Sequence, residues 1–274
     1  MAYGVAMSKR GPVRPHNEDG CCYLEALTSI GSLAMAVVCD GVGGLSRGEL
    51  ASTTVINRFV QWFECELRNL LTKQSPQHLL DAVERIWPRM LDAANRDLLA
   101  YGRAHNSLLA TTFTGVMMHD DEYVACHVGD CRLYRLRNGV VQQQTHDHTL
   151  VARELALGHL TPAEARRHPR SNVIYQAIGA SESLAPEIVH GRCCQDDVLL
   201  LLTDGAYHKA SEETLGMLFR GAEQMSCEGL RQACTELLAH DLEAGETDNL
   251  SVVAMSFGDL YETGTVAFAG RRSA

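Results

Sequence analysis

The run VLLLL, residues 198–202, ends on Thr203-Asp204-Gly205, and the run LAMAVVC, residues 33–39, ends on Asp40-Gly41-Val42-Gly43-Gly44. Each run has the length of a strand and falls well short of a core helix, so both read as strands of a layered β core. Asp-Gly closes such a strand readily, because Asp bonds its own backbone and Gly accepts positive φ. Working outward, Tyr3–Met7, Gly20–Leu27, Glu187–His190 and Leu250–Phe257 also carry strand patterns. Between residues 111 and 145 the apolar period is two. The segments Thr111–Met118, Tyr123–Val128, Arg132–Arg137 and Val140–Thr145 are separated by DD, GD and NG turn signals, which predicts an antiparallel meander.

Helical spacing fills the rest. Ser46 with Glu49 three residues later predicts a capping box, followed by Ala51, Val55, Phe59, Trp62 and Phe63 at helical intervals to about Leu71. The aromatic residues of that helix are read as its core face. A second helix is predicted after Pro76, through Leu79, Val83, Ile86, Met90, Leu91, Ala94 and Leu98, closing at the GRAHNS stretch from Gly102. Two more are predicted near 211–220 and 227–240. Residues 149–171 are more polar, with a short helix before Gly158 and another from Pro162 to His168, and four arginines against two glutamates make them locally basic. Strands and helices of both periods within one chain give an α+β class.

The chain has 274 residues, with 24 Lys and Arg against 34 Asp and Glu, a formal charge of −10 that excludes a general nucleic-acid binder. Hydrophobic residues at 46% exclude intrinsic disorder. Of the ten cysteines, none forms a CxxC pair, so they are read as reduced thiols, with the neighbours Cys21-Cys22 and Cys193-Cys194 serving packing. No leader-like apolar region opens the chain and the longest apolar run is Leu33–Cys39, so a cytoplasmic location without membrane attachment is expected.

Four aspartates stand at strand ends: Asp40, Asp130 after ACHVG, Asp204, and Asp248 opening the last strand. Taken singly, each is a turn residue. Taken together, carboxylates converging at one end of a layered core repel one another unless a cation neutralises them. An oxygen-only donor set favours Mg²⁺ or Mn²⁺ over zinc. A pair of such ions roughly 3.5–4 Å apart lowers the pKa of a shared water and stabilises in-line displacement at phosphorus, so the expected chemistry is hydrolysis of a phosphate ester. No Cys-x5-Arg loop or other nucleophile and base arrangement competes, which points to direct hydrolysis without a phosphoenzyme.

The ordered set of motifs also resembles a family, the metal-dependent Ser/Thr protein phosphatases of the PPM/PP2C type in their bacterial form. The resemblance runs from Arg14 to about Val253. It rests on Arg14-Pro-His-Asn17-Glu18-Asp19, Asp40-Gly41-Val-Gly43-Gly44, Gly48-Glu49-Leu-Ala51-Ser52, Ala110-Thr-Thr-Phe-Thr, Val128-Gly129-Asp130-Cys131-Arg132, Thr145-His-Asp147-His148, Asn172-Val-Ile-Tyr-Gln-Ala-Ile-Gly179, Thr203-Asp204-Gly205 and Asp248-Asn249-Leu-Ser251. It implies a four-layer α-β-β-α sandwich, two antiparallel sheets flanked by helices, with the metal centre at one end. It implies one domain over 1–258, a flap at about 149–171 including Gly158-His-Leu-Thr161-Pro-Ala-Glu164-Ala165 and His168-Pro169, and a tail at 259–274. Asp40 would bridge two Mn²⁺ or Mg²⁺ ions, the Gly41 carbonyl would bind one, and Asp204 and Asp248 the other. Asp19 and Glu18 would act through coordinated water, and Asp130 with Asp204 would hold a third, weaker ion.

By the same resemblance Arg14 would grip the substrate phosphate, and phosphorylated proteins, among them a Ser/Thr kinase, would be the partners of a monomeric enzyme. Arg166, Arg167 and Arg170 of the flap could touch such a partner, although a solvated face explains them as well. Three positions depart from the family pattern: Cys131 where Ser is usual, Gln176 where many bacterial relatives have Arg, and Val42 where eukaryotic relatives often carry His. The first invites a redox role beside a buried packing role. The last leaves protonation of the leaving group to water or another residue. The HxH spacing of His146 and His148 can indicate zinc, but the resemblance places it in the turn before the flap. Two competing functions are a phosphatase-like module that binds without catalysis, against which the intact Asp40, Asp204, Asp248 and Arg14 count, and an unrelated metal-dependent phosphodiesterase, for which no motif is present.

Overall fold

A computed structural model describes residues 2–42, 47–73, 78–165, 167–170, 172–195, 197–221 and 226–257. The chain runs β1 (Ala2–Lys9), β2 (Gly20–Thr28), β3 (Gly31–Cys39), α1 (Gly48–Gln61), a π-helical turn (Trp62–Glu66), α2 (Leu67–Lys73), α3 (Leu79–His105), β4 (Phe113–His119), β5 (Glu122–Val128), β6 (Arg132–Arg137) and β7 (Val140–Gln143). It continues through α4 (Leu150–Ala156), α5 (Pro162–Ala165), β8 (Glu187–Arg192), β9 (Val198–Leu202), a 3-10 turn (Asp204–Ala206), α6 (Glu212–Leu218), α7 (Cys227–Glu243) and β10 (Leu250–Phe257). Two five-stranded sheets result, in the orders β1-β10-β9-β6-β7 and β2-β3-β4-β5-β8. All their pairings are antiparallel.

The unbroken apolar runs now have a cause. Leu33, Met35, Val37 and Cys39 of β3 face outward and pack with Phe59 of α1 and Trp87 and Leu91 of α3. Ala34, Ala36 and Val38 face inward and meet Leu199, Leu201, Val253 and Met255 of the other sheet. β9 does the reverse on its side, with Val198, Leu200 and Leu202 packed with Leu230, Cys234 and Leu237 of α7. Both faces of each central strand are therefore covered, and the expected α-β-β-α sandwich is what forms. Phe59 lies 5.1 Å from Trp87 and 4.4 Å from Phe113, ring centroid to centroid. Burying each such side chain contributes about 2–3 kcal/mol.

The expected meander is corrected. β4 and β5 form a hairpin in one sheet and β6 and β7 a hairpin in the other; β5 continues to β8 and β6 to β9. Gly129 makes the crossing at φ +112°, with Thr112 so close that a Cβ would lie 2.5 Å from its Cγ2. Alternation within each hairpin is local and carries no signal of which sheet a strand joins.

The first helix also differs at its start. Its N-cap is Arg47, without a side-chain cap, and the Gly48 N–H is instead taken by Glu18 Oε1 at 3.1 Å. Ser46, Gly43, Gly44, Pro76, Arg166 and the tail 259–274 lie outside the described residues. The second helix runs through Gly102 to His105 and ends on Asn106 in the left-handed region. No helix among the described residues is long and apolar enough to cross a membrane.

Candidate metal and phosphate site

The acidic residues meet at one end of the sandwich, brought there by both sheets. Asp40 follows β3, and its backbone is pinned by β4's approach: its N–H donates to Thr112 Oγ1 at 2.9 Å and its carbonyl accepts from Thr112 N at 2.8 Å and Thr111 Oγ1 at 2.9 Å. Asp204 follows β9 and Asp248 precedes β10, the strand beside it. Their loops touch so closely that a Cβ on Gly205 would lie 2.1 Å from the Asn249 carbonyl oxygen. Asp130 sits at the crossing between sheets.

Electrostatics report the convergence directly. Burial pushes the Asp40 carboxyl well above its ordinary range, and the charges of Asp204, Asp19, Asp130 and Asp248 push it further. Asp19 is raised to about 7, chiefly by burial and also by Asp204 and Asp248, even though Thr203 Oγ1 at 2.7 Å and Ser251 Oγ at 2.9 Å donate to its Oδ2. Asp130 is likewise raised to about 7 by burial, then by Asp204 and Asp147. Asp204 is raised by burial and by Asp248, against a lowering from His208. Asp130 Oδ1 is buried with no hydrogen-bond partner among the described residues. A buried carboxylate oxygen without a donor, inside a set of mutually repelling carboxylates, fits a cation and is costly otherwise.

Arg14 is paired with Asp248, its Nη2 donating to Asp248 Oδ2, and that hydrogen bond, with the charges of Asp248, Asp40 and Glu18, raises its pKa. Glu18 has a structural use: beyond capping α1, its carbonyl accepts from Gly41 N at 3.2 Å and Ser52 Oγ at 2.6 Å. The Gly41 carbonyl faces the start of α1, where a Cβ on Gly48 would lie 2.7 Å from it. The flap begins at Thr149, whose hydroxyl caps α4 through Ala152 N at 3.1 Å; Arg167 and Arg170 are exposed.

Supporting groups hold the crossing loop. Arg132 forks onto Asp147, with Nε at 3.0 Å from Oδ1 and Nη2 at 2.7 Å from Oδ2. The same guanidinium stacks 3.9 Å over Tyr207, whose hydroxyl donates to the Asp130 carbonyl at 2.9 Å. Cys131 is fully buried, its Sγ 3.0 Å from Thr112 Oγ1, and burial raises its pKa well above that of a free thiol. That is the packing role, since a reactive cysteine needs a stabilised thiolate. Cys21 and Cys22 take opposite sides of β2, one against the inter-sheet core and one against the helical layer.

The zinc reading of HxH fails on proton positions. The His146 side chain is 89% exposed. His127, His148 and Glu187 do approach within 4.8 Å. Gly129 N–H donates to His148 Nδ1 at 3.1 Å, and Gln176 Nε2 lies 2.8 Å from the same atom. Gln176 is oriented by Ala185, whose N–H donates to Oε1 at 2.6 Å, so Nε2 is a second donor. His148 therefore carries its proton on Nε2 and offers no free lone pair to a metal. Gln176, in place of the arginine, serves this turn.

Sequence reasoning missed His208 and Glu246. His208 Nε2 is 4.0 Å from Asp204 Oδ2 and Nδ1 is 3.6 Å from Glu246 Oε2. The only available signal was the four-residue spacing of Asp204 and His208 after the strand end.

The chain matches the family model for protein phosphatase 2C over residues 16–239. It is 27% identical over 219 residues to the serine/threonine phosphatase stp of Listeria monocytogenes, covering 79% of this chain and 82% of that one. Among solved structures, serine/threonine phosphatase Stp1 from Staphylococcus aureus superposes with a TM-score of 0.81 at 25% identity, covering 94% of this chain and 95% of that one. The catalytic domain of serine threonine protein phosphatase PstP in complex with two manganese ions gives a TM-score of 0.74 at 26% identity, covering 94% and 99%.

Proposed function

The chain belongs to the protein phosphatase 2C family, and on that premise we propose that it hydrolyses phosphoserine and phosphothreonine in proteins by direct attack of water at the carboxylate cluster. The observation that carries the reading is the convergence of Asp19, Asp40, Asp130, Asp204 and Asp248, whose charges act on one another, with Asp130 buried and one of its oxygens without a donor. Asp40, whose carboxyl feels all four others, is suited to bridge two Mn²⁺ or Mg²⁺ ions. The Gly41 carbonyl is assigned to one ion and Asp204 with Asp248 to the other. Asp19 and Glu18 are assigned to coordinated water, and Asp130 with Asp204 to a third, weaker ion. A relative solved with two manganese ions supports the choice of metal. When bound, the ions supply Lewis-acid activation of water and neutralise charge developing at phosphorus.

The chain's own residues do the remaining work. Arg14, steered by its pairing with Asp248, presents a planar fork of donors that matches a phosphate dianion. Thr203 and Ser251 fix the Asp19 carboxylate by donating to its Oδ2. Arg132 and Tyr207 fix the loop that carries Asp130. We read residues 1–258 as one phosphatase domain, with the flap at 149–171 bordering the site. The partners are phosphorylated proteins, including a Ser/Thr kinase that this monomeric, cytoplasmic enzyme opposes.

The test is phosphate release from a phosphothreonine peptide in Mn²⁺, in Mg²⁺ and in EDTA. Release that needs the metal and disappears in Asp204→Asn is the expected result. No release by folded, metal-loaded protein would replace the enzyme with a binding module.

A further inference from the structure

The 3-10 turn that starts at Asp204 carries His208 back onto the side of the Asp204 carboxylate. The His208 N–H donates to the Asp204 carbonyl at 2.9 Å, and the ring then lies between two acids. Nε2 faces Asp204 Oδ2 at 4.0 Å, and Nδ1 faces Glu246 Oε2 at 3.6 Å. The His208 side chain is 31% exposed, whereas Glu246 is only 8% exposed. Glu246 is also held firmly: its Oε1 accepts from Thr247 N at 2.7 Å and from Asp248 N at 3.0 Å. One buried carboxylate thus holds the loop of Asp248 by hydrogen bonds and faces the imidazole of His208 at ion-pair distance.

A metal-binding imidazole turns one ring nitrogen to a carboxylate and the other to the ion, and His208 has this order of neighbours, with Glu246 at ion-pair distance. Donor atoms on one octahedral ion, with bonds of about 2.1 Å, lie about 3.0 Å apart when adjacent and about 4.2 Å apart when opposite. The 4.0 Å separation is close to that of opposite donors and is too long for a hydrogen bond. The partnerless Oδ1 of Asp130, a carboxylate on which the charge of Asp204 acts, is a further oxygen open to a cation.

We propose that His208 is a nitrogen ligand of the third ion, beside Asp130 and Asp204, with Glu246 holding its ring; this rests on the metal-dependent reading above. A site made only of carboxylates and water discriminates weakly among hard divalent cations. An imidazole donor tilts it toward Mn²⁺ over Mg²⁺. The third position would then respond to manganese supply while the two inner positions accept either ion.

The experiment is Mn²⁺ titration of the full chain without substrate, read by pulsed electron paramagnetic resonance for ¹⁴N coupling to the bound ion. Carboxylate and water ligands give none. The expected result is a directly bound nitrogen that appears with the third equivalent, changes to the ¹⁵N pattern when histidine is ¹⁵N-labelled, and vanishes in His208→Ala. Affinity of that equivalent for Mn²⁺ should fall about tenfold or more in His208→Ala and Glu246→Gln, with Mg²⁺ affinity changed less than about threefold. Three bound Mn²⁺ without nitrogen coupling, only two bound Mn²⁺, or coupling that survives in His208→Ala would overturn the assignment. The labelled wild-type protein decides the matter even if a variant folds poorly. Phosphate release measured on the same samples separates the readings: release without nitrogen coupling leaves the phosphatase standing and removes His208.

Discussion

Replacing Asp130 by Asn should make the metal-free protein more stable at neutral pH. The Asp130 carboxyl is lifted from 3.8 to about 7 in the folded chain, so the fold prefers it neutral. In the window from about pH 4 to about 7 the folded state keeps a proton that the unfolded state has released. Stability therefore falls as pH rises through that window, and above it the full penalty is present. About three pKa units at about 1.4 kcal/mol each set an upper bound of about 4 kcal/mol. An asparagine removes the charge but leaves a buried amide to satisfy, which costs about 1–3 kcal/mol. A net gain of about 2 kcal/mol remains. With an unfolding entropy of about 2 cal/mol/K per residue, a chain of this size should gain about 3–4 °C in Tm. The assay is thermal unfolding by circular dichroism in EDTA at pH 5.0 and 7.5. Wild type should lose Tm on going to pH 7.5, and the advantage of Asp130→Asn should be larger at 7.5 than at 5.0. Mn²⁺ should then stabilise wild type more than the variant. A variant no more stable than wild type at pH 7.5 in EDTA would refute the claim that these carboxylates demand a cation.

The other expectations are simpler. Asp204→Asn should abolish nearly all turnover with its circular dichroism spectrum unchanged; wild-type turnover would remove Asp204 from the machinery. Arg14→Ala should lower kcat/KM for a phosphothreonine peptide by about 10–100-fold, the loss expected for one charge-assisted contact of about 1.5–3 kcal/mol. Unchanged kinetics would take Arg14 out of the site. Far from the cluster, Asp197 is fully buried and bridged to Arg137, whose Nε donates to its Oδ1 at 2.7 Å. Arg137→Ala strands that carboxylate and should cost about 2–3 kcal/mol, seen as a lower denaturant midpoint with metal affinity unaltered.

The strands were legible because both sheets are covered on both sides, which writes VLLLL and LAMAVVC as unbroken apolar runs. Their aspartate ends were legible for the same reason, since a charged residue stands out after a two-sided apolar strand. The sheet to which each strand belongs was not legible: β5 and β6 look like successive strands of a meander until Gly129 turns the chain across the sandwich. The start of α1 was misread because its cap comes from Glu18, 30 positions upstream, a partner that no local pattern can indicate. His208 and Glu246 escaped notice because their meaning depends on two loops meeting, while a histidine after a turn is an ordinary sight. The HxH pair shows the opposite error, a spacing that suggests a metal until proton positions exclude it.

The position of β10 in its sheet also sets a timetable. This strand lies between β1 and β9, and among the described residues β1 pairs with no other strand. A nascent chain that has emerged only as far as β9 has its first strand waiting without a neighbour, and it lacks Asp248 and the Ser251 hydroxyl that aims Asp19. The site joins Asp19 to a residue 232 positions further along the chain, so it can close only after β10 has been made. A chain cut before Asp248 should therefore show no phosphatase activity, whatever else of the fold it forms.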